Sequence, residues 1–145
     1  MKVILKIINI VFFIFLFQVN VFSKENFFNK ALELYENKKY EDARFLFERN
    51  IVFNPKDAGS YLYLAKIYNY KEDQKKEEDN LETTLLISPD NEEALLMLMK
   101  IALKKSNYDK VKDLSETFIK VCNNLCDENK KIQESLKNIE PENNE

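Results

Sequence analysis

Histidine and tryptophan are absent from this sequence, which contains only one glycine, three prolines and two cysteines. Without histidine the chain lacks the usual general base near neutral pH and the commonest metal ligand, so a serine–histidine triad is excluded. The scarcity of glycine disfavours β-hairpins and glycine-lined phosphate loops, and no EF-hand or zinc spacing is present. The sequence therefore predicts no catalytic residue, no metal site and no cofactor.

Charge and length set further bounds. The chain has 145 residues, which is enough for one domain, and its net charge is −3. A net negative charge argues against nucleic acid as a main partner. Acidic and basic residues alternate in the most charged stretch, residues 71–79, and this pattern is typical of a solvated turn and helix start.

The N-terminal residues have the layout of an export signal. Lys2 and Lys6 precede an apolar run from Ile7 to Phe17, and a more polar segment ends at Ser23. We expect residues 1–23 to be a secretory signal peptide. The alternative is an uncleaved anchor formed by residues 3–22, although the apolar run is shorter than a membrane span of roughly 20 residues. Both readings place the remaining chain outside the cytoplasm, either periplasmic or secreted, and not embedded in the membrane.

A regular repeat runs through the rest of the chain. Pro55 and Pro89 mark the length of one repeat, and the same number of positions separates the apolar residues of several columns. The columns are Phe27, Tyr61 and Leu95; Ala31, Ala65 and Met99; and Phe53, Ile87 and Val121. Apolar residues within each repeat recur three and four apart, which predicts amphipathic helices and no strand. A repeat of this length indicates stacked units that are each too small to bury their own apolar face.

These columns resemble the tetratricopeptide repeat (TPR) family, over Lys24 to about Asn123. The resemblance implies an all-α solenoid of antiparallel helix pairs, with three units at residues 24–57, 58–91 and 92–125. We expect a capping helix at 126–140 and a flexible acidic tail at 141–145. Gln74 and Glu77 stand where the family has an aromatic and a small residue, so the second unit is expected to pack most loosely, at residues 71–80.

The same resemblance implies a concave groove lined by the first helix of each unit. We expect an apolar floor that becomes basic toward the C-terminal units and that could bind a protein segment carrying apolar anchors and a carboxylate. The alternative is that several of these side chains only pack against neighbouring helices. The twelve residues in the groove columns are Phe28, Leu32, Tyr35, Glu36, Leu62, Lys66, Asn69, Tyr70, Leu96, Lys100, Leu103 and Lys104.

Cys122 and Cys126 are the only cysteines, and they lie where the sixth helix gives way to the cap. Because an exported chain meets oxidising conditions, we expect a disulfide that staples this junction. Their three intervening residues do not match the two of thioredoxin-like motifs, so a redox role is the weaker alternative.

These features predict a non-enzymatic interaction or scaffold module of the cell envelope, with a protein or peptide partner in the groove. One alternative is a structural adaptor that self-associates through the ends of the solenoid. A thiol-redox helper that uses Cys122 and Cys126 is a further alternative.

Overall fold

The protein is described by a computed structural model over residues 26–139. The expected signal segment and the acidic tail both lie outside these residues. Within them the chain forms seven α-helices and no strand, so the predicted all-α fold is confirmed. The helices are α1 (Phe27–Glu36), α2 (Tyr40–Phe53), α3 (Ala58–Tyr70), α4 (Gln74–Ile87), α5 (Glu92–Lys104), α6 (Tyr108–Val121) and α7 (Cys126–Ile139).

The helices form an open array instead of closing around one centre. The main helix contacts join neighbours in sequence, from α1 with α2 to α6 with α7, and α7 also packs against α5. Each unit therefore depends on the units beside it for burial of its apolar face, as expected for a solenoid. The pairs α1–α2, α3–α4 and α5–α6 give the array a first and a second helix in each unit.

The core follows the columns of the repeat. Ala31, Ala65 and Met99, which share one column, are all fully buried, and they fall in three successive apolar clusters. The small side chains let the helices approach closely in the first two units. In the third unit the longer Met99 fills the corresponding space next to Phe118 of the same cluster.

The turn inside each unit has the same backbone geometry, although none of the three contains glycine. Lys38, Glu72 and Ser106 have positive φ angles of 59°, 59° and 55°, and they occupy the same position in successive repeats. In the first unit the N–H of Lys39 donates to the carbonyl oxygen of Leu34 at 2.8 Å, and the N–H of Lys38 donates to that of Tyr35 at 2.9 Å. This is the Schellman arrangement that ends many helices, and the left-handed residue at its centre is usually glycine.

Asparagine and aspartate side chains begin four of the helices. Asn26, Asp73, Asn91 and Asn107 each accept a hydrogen bond from the backbone N–H three residues further on. They satisfy one of the free amides of the first turn. The cap of α5 is Asn91, whose Oδ1 accepts from the N–H of Ala94 at 2.9 Å.

The helix α4 is continuous from Gln74 to Ile87, through part of the segment that was expected to pack loosely. Glu77, at the position of a small residue, is only 5% exposed. Its Oε1 accepts a hydrogen bond from Asn69 of α3 at 2.8 Å. A buried carboxylate thus takes the place of the small side chain, and the amide of Asn69 satisfies one of its oxygens.

The last helix continues the register of the first helices. Asn129 and Gln133 of α7 stand one repeat interval after Leu95 and Met99. Ile132 and Leu136 are buried in the same cluster as Leu96. The helix α7 therefore covers the apolar end of the third unit, with polar side chains in the two columns that are apolar in the other units.

Candidate functional site

The groove is defined here as the surface that the first helices α1, α3 and α5 present, in the columns named above. The structure divides these twelve residues into three groups. Leu62 and Leu96 are only 7% and 4% exposed and belong to the apolar clusters, so they offer a ligand almost no surface. The others are either half-buried in contacts on the groove floor or exposed to solvent.

An aromatic cluster forms the floor between α1 and α3. The ring of Tyr63 lies 5.0 Å from that of Tyr35, 6.0 Å from that of Phe28 and 5.3 Å from that of Phe47, measured between centroids. Phe28, Tyr35 and Tyr63 are half-buried, so part of each ring faces solvent. Edge-to-face and stacked contacts of this kind fix ring positions before any ligand arrives.

Tyr63 was not among the residues expected in the groove. It follows Leu62 directly, and the groove column implied by the resemblance contained Leu62. The structure reverses the two, because Leu62 turns into the core and Tyr63 faces α1. An aromatic residue directly after a groove column was the only signal in the sequence.

Burial also changes the acidity of the cluster. The pKa of Tyr35 is raised, first because burial disfavours its charged form and then because Tyr40, Tyr63 and Glu93 lie nearby. The hydroxyl therefore stays protonated and remains a hydrogen-bond donor and acceptor at neutral pH.

Lys66 at the middle of the groove is not a free positive charge. Its Nζ lies 2.8 Å from Oε2 of Glu93 and 4.5 Å from the centroid of the Tyr63 ring. A carboxylate and an aromatic face thus both stabilise the ammonium group in this position. The basic character expected along the whole C-terminal side of the groove begins only beyond this pair.

Lys100 and Lys104 on α5 carry the accessible positive charge. Both are exposed, and neither forms an ion pair within 4 Å among the residues that the structure describes. The pKa of Glu128 on α7 is lowered mainly by a hydrogen bond from Lys131 and more weakly by the charge of Lys100. Two lysines one helical turn apart are therefore open to a negatively charged group.

The remaining groove residues have mixed roles. Asn69 is committed to Glu77 of α4. The exposed ring of Tyr70 contacts that of Tyr40 at 4.5 Å and lies at the end of α3. Leu32 and Leu103 are half-buried, and Glu36 is exposed. The structure thus brings together Phe28, Tyr35 and Lys66 with the unforeseen Tyr63, while Asn69 and Tyr70 make contacts to second helices.

The corner between α6 and α7 contains a disulfide between Cys122 and Cys126. The carboxylate of Glu92, in the first turn of α5, accepts hydrogen bonds from the backbone N–H groups of Asn123, Asn124 and Leu125 at 2.9, 3.1 and 2.8 Å. These bonds, that of Leu125 first, lower the pKa of Glu92 because they favour its charged form. The corner is therefore held by the disulfide within it and by hydrogen bonds to α5.

Neither a metal-binding cluster nor a membrane-spanning helix is found in residues 26–139. No group of three or more acidic, cysteine or histidine side chains there could hold a metal ion, and none of the helices there is long and apolar enough to cross a membrane.

A cleft of 840 Å³ opens at the N-terminal end of the array beside Phe28 and Phe53. Its buried polar residue, Asn50, already donates hydrogen bonds to Asp57 and Ser60.

Comparison with known proteins finds similarity among solved structures. No protein-family model and no curated protein matches this sequence. Among solved structures, the chain is similar to the crystal structure of the Sgt2 TPR domain from Aspergillus fumigatus. The two are 17% identical, the match covers 83% of this chain and 86% of that chain, and the TM-score is 0.60. The chain therefore has the fold of a TPR domain, and the resemblance expected from the sequence is confirmed at the level of the fold.

Proposed function

We propose that this protein is a non-enzymatic interaction module that binds a segment of a partner protein in its groove. The observation that carries the proposal is the division of the groove into two halves. The half between α1 and α3 is a half-buried aromatic floor, and the half on α5 carries two uncommitted lysines. An aromatic floor with fixed rings and a separate charged site is suited to the recognition of a short segment.

The chemistry of the groove defines the kind of segment. An apolar or aromatic side chain of the partner would cover Phe28, Tyr35 and Tyr63, and a carboxylate would contact Lys100 or Lys104. The Lys66–Glu93 pair between the two halves would favour a neutral residue there, because either charge on the partner would meet a like charge. We therefore expect a partner segment to carry an apolar side chain, a neutral residue and a carboxylate in this order.

We also propose that the domain acts outside the cytoplasm, in the cell envelope or as a secreted protein. The layout of residues 1–23 supports this location, and so does the disulfide, because disulfides persist mainly in oxidising compartments. A fusion of residues 1–30 to a reporter enzyme that is active only after export would test it. Activity of the reporter is the expected result, and a reporter that stays inactive in the cytoplasm would contradict the location.

Position-resolved photo-crosslinking tests the binding surface. A photoreactive amino acid at Leu32 or Lys100 places the probe in the groove, and one at Asp79 or Asp113 places it on a second helix, outside the groove columns. We expect one partner to crosslink from both groove positions and from neither control position. The same partner captured equally from Asp79 and Asp113, or from these alone, would contradict binding in the groove.

Self-association through the end of the array has less support. The exposed residues of α7 include Lys130 and Lys131, and Lys130 forms an ion pair with Asp127 at 2.7 Å. A charged surface of this kind is poorly suited to stacking on a second copy. Light scattering distinguishes the two functions, since a concentration-dependent dimer that disappears when α7 is removed would favour self-association.

A further inference from the structure

The corner between α6 and α7 is held by two different constraints. The disulfide joins Cys122, which ends α6, to Cys126, which begins α7. The three residues between them all donate their backbone N–H groups to Glu92 of α5. Both constraints act on the same short loop, so the covalent bond favours the loop conformation in which the three amides converge on one carboxylate.

The docking of α7 depends on this corner. Ile132 and Leu136 are buried against α5 and α6. The hydroxyl of Ser115 on α6 is hydrogen-bonded to Oδ1 of Asn129 at 2.9 Å and accepts from Nε2 of Gln133 at 2.7 Å. The helix has two buried apolar side chains and few other contacts with the array, so its position is sensitive to the geometry of the loop that leads into it.

We propose that the Cys122–Cys126 disulfide and the Glu92 carboxylate form a redox-sensitive latch that holds α7 over the end of α5. When the disulfide is reduced, the loop gains conformational freedom, the three amides no longer converge, and Glu92 loses part of its hydrogen bonding. The helix α7 then opens more often, which exposes the apolar side chains that it covers, Leu96 among them. Because Leu96 belongs to a groove column, the latch would also alter the end of the groove, a consequence that rests on the proposed function.

The reaction is a thiol–disulfide exchange with a dithiol. A thiolate of the dithiol attacks one sulfur of the protein disulfide, the S–S bond breaks, and a mixed disulfide forms. The second thiolate of the dithiol then displaces the protein sulfur. The two cysteines gain two electrons and two protons and become thiols, and the dithiol becomes a cyclic disulfide. An oxidising compartment would close the latch, and a dithiol reductant would open it.

Hydrogen exchange followed by mass spectrometry tests the latch in the intact, oxidised protein. The exchange of backbone amides is compared before and after treatment with dithiothreitol. We expect reduction to speed exchange about ten-fold or more in residues 123–139, while α1 to α4 keep their protection. Unchanged exchange in residues 123–139 would overturn the proposal. An equal acceleration in all helices would also overturn it, because the disulfide would then act on the whole fold and not on α7.

Two variants separate the parts of the latch. The double variant Cys122→Ser, Cys126→Ser should exchange like the reduced protein and should not respond to dithiothreitol, which controls for effects of the reagent. Glu92→Gln should speed exchange at residues 123–125 in the oxidised protein, since an amide oxygen accepts less strongly than a carboxylate. If the Glu92→Gln variant exchanged at the rate of the wild type, the carboxylate would not be part of the latch. None of these readouts requires a ligand, so they test the latch independently of the groove.

Discussion

At the scale of single residues, Glu77 is the clearest departure from the pattern of the repeat. The residue is 5% exposed, and burial raises its pKa despite the hydrogen bond from Asn69 and the nearby charge of Lys104. Between the ordinary glutamate pKa and this raised value, the folded protein binds more protons than the unfolded protein. The stability of the fold therefore falls as the pH rises through this window, and the charged Glu77 is a cost at neutral pH.

Glu77→Gln should consequently raise the melting temperature at pH 7. Glutamine keeps an oxygen that can accept from Asn69 and removes the buried charge. The advantage over the wild type should shrink as the pH falls toward the ordinary glutamate value of 4.5 and should be lost below it. Thermal melts of both proteins from pH 3.5 to 8 measure the effect. Asp79→Asn, a neutralisation at an exposed position of the same helix, is the control, and a Glu77→Gln protein that melts lower than the wild type at pH 7 would contradict this expectation.

Residues of the groove show how far the sequence could lead at this scale. The columns assigned Phe28 and Tyr35 to the groove, and in the structure both rings contact that of Tyr63. The pairing of Lys66 could not be predicted, since Glu93 belongs to another unit and approaches only when the units stack. Tyr63 was missed because periodicity alone does not decide which of two adjacent apolar residues turns into the core.

At the scale of elements, the turns inside the units carry a conformational cost. The left-handed backbone conformation costs a residue with a side chain roughly 1–2 kcal/mol of free energy, whereas glycine adopts it freely. Lys38, Glu72 and Ser106 all have this conformation. The Schellman geometry could not be predicted from the sequence, because its usual marker, glycine, is absent from all three turns.

Glu72→Gly should therefore stabilise the protein by about 0.5–1 kcal/mol. The gain arises because glycine removes the clash at positive φ, and it is partly offset by the greater freedom of glycine in the unfolded chain. Chemical denaturation measures the difference in the free energy of unfolding, and the dependence of this free energy on denaturant concentration should be the same for both proteins. Glu72→Ala is the matched control, since alanine also lacks the charge but keeps a Cβ atom. Equal stability of the glycine and alanine variants would show that the backbone at this turn is not strained.

At the scale of the whole molecule, stability depends on stacking between units. Ala65 is fully buried in the cluster that α3 shares with α4 and α5, together with Leu81, Ala94 and Leu98. No unit within the described residues contains all the side chains that bury its own apolar face. The stacking of the units was predictable from the period of the sequence, because equal spacing of apolar columns requires equal helix pairs.

Ala65→Glu should lower the melting temperature of the fold sharply. The substitution places a charge and a longer side chain between closely packed helices, at a cost of about 3 kcal/mol or more. A domain of this size is stable by only about 5–15 kcal/mol in total. Circular dichroism during heating provides the measurement. Lys75→Glu adds the same residue at an exposed position of α4 and should melt like the wild type, whereas a normal melt of Ala65→Glu would contradict the assigned register.

The central claim is that the groove binds a partner segment through an aromatic floor and the accessible lysines of α5. Its most direct test is the affinity of a segment of the crosslinked partner for the wild type and for the double variant Lys100→Gln, Lys104→Gln, measured by calorimetry. The double variant Lys75→Gln, Lys120→Gln is the control, since it removes the same charge from second helices outside the groove. We predict that the groove variant binds more weakly by about ten-fold and that the control binds like the wild type. Equal affinities for all three proteins would contradict the claim.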